Sequence, residues 1–180
     1  MIYLGLNCGM GNHDCATLPK SALDLKEGNF DYPRPKTGVL RWAPLWPETV
    51  KALKAVADVA REAKDSADAD LFFLTKAGHA WYRENSSDDP IAKEMAKLLQ
   101  ACGMKKLGLG FYALRHTFLT VAEGARDQKA VEFIMGHAPD SNDMTAHYRE
   151  EMKRERLKKV TDHVRKWLLA GKPKRKQSAA

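Results

Sequence analysis

The chain has 180 residues, 44% of them hydrophobic and 29% charged, the balance of one ordinary globular domain that buries a core without staples. No apolar run approaches a membrane span, and Met1–Leu6 is too short and uncharged for a signal peptide. Three cysteines without an export signal therefore read as reduced thiols in a cytoplasmic protein. The formal net charge is +7, yet residues 149–176 hold twelve Lys or Arg against four Asp or Glu, a net +8, so the rest is near neutral.

In chain order, Leu4, Leu6, Cys8 and Met10 are apolar at spacing two, but Gly5, Gly9 and Gly11 leave helix and strand both open. Asp31–Gly38 reads as a strand running into a turn, with Gly38 supplying a positive φ, and Val39–Leu45 as the returning strand, closed by Pro47. Val50, Leu53, Val56, Val59 and Ala60 predict a helix over Pro47–Asp65. Leu71–Leu74 reads as a short strand before a Lys76-Ala77-Gly78 turn, and Ser87–Pro90 caps a helix over Ile91–Cys102. Further helices are expected over Tyr112–Gly124, Lys129–Met135 (stopped by Gly136) and Ser141–Tyr148. The last, Met152–Ala170, carries Leu157, Val160, Val164, Trp167 and Leu168 on one face. Lys172–Ala180 is polar and has no core-forming residue.

Three short segments concentrate the chemistry: Ala113–Phe118, Ile134–His137 and Ala146–Glu150. They bring an arginine, a histidine and a tyrosine in that order, from Arg115 through His137 to Tyr148. Such residues suit attack by a phenolate on a phosphodiester while cationic and hydrogen-bonding groups hold the phosphate oxygens. Arginine serves because its planar fork binds two oxygens and stays charged at any working pH. Each residue also has a plainer reading: a salt-bridged helix arginine, a helix C-cap histidine, an interface tyrosine.

Order and local wording resemble the C-terminal half of the catalytic domain of the tyrosine recombinases, the phage-integrase family, over about Leu4–Trp167 and most strongly from Phe111 to Glu150. The resemblance implies an α+β, mainly α-helical fold with a small antiparallel sheet near the N-terminus. It implies a domain over residues 1–170 without the family's first helix or its N-terminal DNA-clamping domain, then a basic disordered tail over 171–180. Arg115 takes the arginine of an H-x-x-R pattern whose histidine position holds Tyr112, and Met135-Gly136-His137 takes the place of leucine-glycine-histidine. Tyr148 is the implied nucleophile, forming a 3′-phosphotyrosine link to double-stranded DNA with no metal or nucleotide cofactor. Lys36, in Pro35-Lys36-Thr37-Gly38, matches the hairpin lysine that protonates the 5′-oxygen, and Arg41 and Arg149 are candidate DNA contacts. The final helix docks within its own chain or on another protomer.

One departure stands out. On the family's T-G-L-R-x-x-E segment, Gly11 falls where the first arginine belongs and Asp14 where the acid belongs. The alternative reading is a non-catalytic DNA-binding remnant of a mobile-element integrase. Cys8, His13 and Cys15 lie close together but lack the paired spacing of a zinc site.

Overall fold

The computed structural model describes residues 1–59, 61–84, 86–137 and 152–171. It is mainly helical, with a three-stranded antiparallel sheet β1-β2-β3 made of Leu23–Asp24, Asn29–Asp31 and Trp42–Pro44. The seven α-helices among the described residues are α1 (Ile2–Cys8), α2 (Asn12–Ala16), α3 (Pro47–Ala57), α4 (Pro90–Ala101), α5 (Tyr112–Ala122), α6 (Gln128–Met135) and α7 (Arg154–Leu169). None is long and apolar enough to cross a membrane.

The glycine-rich start resolves as helix. Leu4 and Cys8 of α1 face the core, and Gly9 closes the helix at φ 64° while lying so close to Phe118 that a Cβ would stand 2.9 Å from its ring. α1 packs across α5, α3 and α7. Around it Met10, Leu18, Phe30, Phe118, Ile134 and Val160 are fully buried. Fully buried Asn7 ties these layers together: its Oδ1 accepts from the Trp46 N–H (2.7 Å) and the Thr49 hydroxyl (2.9 Å), and its Nδ2 donates to the Pro44 carbonyl (3.1 Å).

The expected hairpin forms with shorter strands than the sequence suggests, because Pro33 and Pro35 have no N–H to give to the ladder. Beyond β2 the arms are joined by the Tyr32 N–H to the Arg41 carbonyl (3.2 Å) and the Arg34 N–H to the Val39 carbonyl (2.9 Å), and Gly38 turns at φ 66°. α3 stops at Ala57, well before Asp65, and Val56 and Val59, counted toward its apolar face, are exposed. Leu71–Leu74 is no strand: it makes two isolated bridges, Leu71 with Pro19 and Leu74 with Ala80. Gly124 does not end α5 by a positive φ; Arg126 takes that conformation, and Gly124 lies against His163.

α7 docks on its own chain. Leu157, Val160, Thr161 and Val164 are buried against α5, α6, α1 and β3, while Trp167 is 40% exposed. The Trp46 indole donates to the Thr161 carbonyl (2.9 Å). Arg156 grips Asp127 with two hydrogen bonds (2.8 and 2.7 Å), Arg165 grips Glu48 in the same way (2.9 and 2.7 Å), and Arg154 lies over the Trp42 ring. Part of the basic segment's charge is thus engaged within the molecule.

Candidate active site

Arg115 lies on the buried stripe of α5 with Phe118 and Ala122 and is 2% exposed. A guanidinium in the interior needs hydrogen-bond acceptors to offset its burial. Two helix ends meet that need, since Arg115 donates to the Gly9 carbonyl at the close of α1 and to the Met135 carbonyl at the last residue of α6 (3.2 Å). Both are carbonyls at the negative ends of helix dipoles. The Asp14 carboxylate stands 4.0 Å from Arg115 Nη1 and accepts from the Gly11 N–H (2.7 Å). Burial first, then the neighbouring Arg34 guanidinium, pull the Arg115 pKa below its ordinary value.

The hairpin turn meets α6 at one atom. The Gly136 carbonyl accepts from the Thr37 hydroxyl (3.0 Å) and from Arg34 Nη1 (3.4 Å). Gly136 closes α6 at φ 64°, and a Cβ there would stand 2.8 Å from Arg34 Cβ, so glycine serves both the helix stop and the close approach of the hairpin. Lys36 lies between Arg34 and Thr37 at the exposed tip. His137 follows directly, half-buried, its N–H donating to the Glu132 carbonyl (3.0 Å). Arg115, the turn bearing Lys36, and His137 therefore converge on the carbonyl end of α6, although Lys36 and His137 stand 101 positions apart in the sequence.

Tyr112 is half exposed, meets His116 edge to face at 5.0 Å, and holds its ring where a Gly11 side chain would begin, with Cε2 3.5 Å from that position. Gly11 itself has φ −90°. Its backbone is one that any residue adopts.

Arg41, expected to contact DNA, is fully buried and offers no surface for that. It donates through Nε to the Tyr32 carbonyl (2.9 Å) and through Nη2 to Asp14 (3.1 Å), and its charge faces the Phe30 and Tyr32 rings. Its Nη1 is buried without a partner among the described residues. The role the structure gives Arg41 is to fix Asp14 beneath Arg115. Sequence reading missed Arg34, which the K-T-G string carries two residues before its lysine. Cys8 and Cys15 are core thiols; burial pushes both up, Cys15 to about 12. Tyr148, Arg149, the expected Ser141–Tyr148 helix and the 172–180 tail lie outside the described residues.

The Phage integrase family model matches residues 1–156. The XerA recombinase superposes with a TM-score of 0.62 at 21% identity, over 91% of this chain and 56% of that one. The Tn1549 transposon integrase, solved in complex with circular intermediate DNA, gives 0.64 at 19% identity, over 91% and 58%. The integrase of mycobacterium phage Brujita gives 0.53 at 18% identity, over 91% and 48%. No curated protein matches the sequence. The chain spans a little over half the length of the first recombinase chains it matches, and at these identities the likeness is one of fold.

Proposed function

The chain belongs to the phage integrase family, and from that membership we propose that it acts on double-stranded DNA in site-specific recombination or integration. The Tyr148 phenolate attacks the scissile phosphorus, and the bond to the 5′-oxygen breaks. The tyrosine becomes joined to the 3′-phosphate, and the departing 5′-oxygen takes its proton from the Lys36 ammonium. Reversal by a different 5′-hydroxyl rejoins the strand, so the phosphoester bond energy is conserved. Arg115 and His137 hold the non-bridging oxygens as negative charge builds there, Asp14 orients Arg115, and Tyr112 adds one neutral hydrogen-bond donor. Arg149, next to the nucleophile, contacts the DNA backbone. The work is done on DNA in the cytoplasm.

The observation that carries this reading is the junction at Gly136, where the Lys36 turn, the Arg115 guanidinium and the residue before His137 share one helix end. The second reading, a DNA-binding remnant without strand cleavage, draws support from Gly11, which has no cation to offer where the family carries its first arginine.

A nicked suicide duplex carrying the junction sequence that adjoins the chain's own gene separates the two. Cleavage should leave a denaturant-resistant protein–DNA adduct without added metal, absent in Tyr148→Phe and reduced by orders of magnitude in Arg115→Ala. Gly11→Arg should fold, since its φ is ordinary and its nearest neighbours stand 3.5 Å or more away. Salt-sensitive DNA binding with no adduct from either wild type or Gly11→Arg would establish the remnant.

A further inference from the structure

Three guanidiniums, those of Arg34, Arg41 and Arg115, gather at the carbonyl end of α6 with, among the described residues, one carboxylate between them, that of Asp14. Asp14 is committed to Arg41 at 3.1 Å and reaches Arg115 at 4.0 Å. Arg34 has no acidic partner among the described residues, and its guanidinium makes one long hydrogen bond there, to the Gly136 carbonyl at 3.4 Å. Among the described residues four of its five N–H donors have no partner. Among the described residues three positive charges stand against one negative, and like charges held together in a partly buried place favour an anion.

Access singles out one of the three. Arg41 is sealed in, and Arg115 keeps only a sliver of surface, whereas Arg34 is half-exposed at the mouth. Its stem lies flat on Gly136, with Cδ 3.2 Å from where a Cβ would be, so the guanidinium is carried to α6 by packing that a larger residue at 136 would block. Arg34 also sits close enough to Arg115 to depress its pKa, second only to burial.

We propose that Arg34 is a phosphate-binding residue, the second guanidinium of a cradle for the scissile DNA phosphate, supplying from the hairpin the cation that Gly11 does not supply from the end of α1. The inference rests on the recombinase reading above and deepens it. Arg34 and Arg115 would grip different oxygens of one phosphate, with Lys36, two residues on, beside the leaving oxygen.

The test is nitrogen-15 NMR of the arginine side chains in the full chain, titrated with inorganic phosphate at constant ionic strength. The Nε–H signals of Arg34 and Arg115 should shift together and saturate with one dissociation constant. Arg34→Gln should weaken that binding about tenfold, and Arg34→Lys should recover part of the loss, since charge returns without the fork. Movement of the Arg115 signal alone, or shifts that grow linearly without saturation, would overturn the role of Arg34. If Arg115 moves alone and Tyr148-dependent adducts still form, the recombinase reading survives without it. Silence at both arginines, with no adduct, would sink both.

Discussion

The Asn7 amide joins the first helix to two other segments and is fully buried. Asn7→Leu would keep the volume but strip the acceptor from the Trp46 N–H and the Thr49 hydroxyl, both buried. A loss of about 2–4 kcal/mol is expected, from two buried donors left without partners. Urea denaturation checks it, and a change below about 1 kcal/mol would mean that water reaches the site. Gly136 carries a double constraint, φ 64° and the Arg34 stem against its α-carbon. Gly136→Ala should cost about 1–3 kcal/mol from backbone strain alone. It should also swing the hairpin tip away, seen as loss of amide protection at Gly38, whose N–H donates to the Arg34 carbonyl. Loss of stability with that protection intact would show the hairpin to be held by its own turn. Arg115, Lys36 and the Gly136 stop were legible because short strings name them. Asn7 and the burial of Arg41 were not, since their partners lie 9 to 42 positions away and nothing local marks the pairing.

Among the elements, α7 shows how far a periodic pattern carries. Its apolar stripe predicted the buried Leu157, Val160 and Val164, and the structure adds that the stripe closes on its own chain. Trp167 was placed on the same face but stays partly outside, at the end of the contact. α3 failed the other way, because Val56 and Val59 keep helical spacing without facing any core. Periodicity reports what a helix would bury, whereas the packing partner decides where it stops. Two bidentate arginine pairs hold α7 at Asp127 and Glu48, and the hydrogen bonds from Arg156 and Arg165 hold those carboxyls below their ordinary values of 3.8 and 4.5. A depressed folded-state value means stability that is present above the unfolded-chain value and lost as pH falls through the folded one. The melting temperature should hold level from neutral pH to about 5 and drop below about 4 as these carboxylates take up protons. Arg165→Gln should melt slightly lower than wild type at pH 7, a small difference because the pair is partly exposed. That gap should narrow in calorimetric scans as pH falls below the ordinary carboxyl range, and a gap unchanged there would assign it to lost packing of the arginine stem.

At the scale of the molecule, helices and hairpin followed from periodicity and turn signals and the fold class from the family resemblance, while the assembly of the site followed from neither. Four stretches far apart in sequence meet at one helix end, and each is ordinary when read alone: a glycine-rich start, a K-T-G turn, an arginine among apolar residues, a helix stop. The same topology constrains how the chain is made. α1 is made well before its packing partners α5 and α7, and the Trp46 indole waits for a carbonyl at Thr161. During synthesis Leu4 and Cys8 lack the cover of α5 and α7 until α7 has been made. A chain cut short before α7 therefore leaves the faces of α1, α5 and α6 that α7 covers open to water, and goes to chaperones and proteases instead of making a smaller working domain.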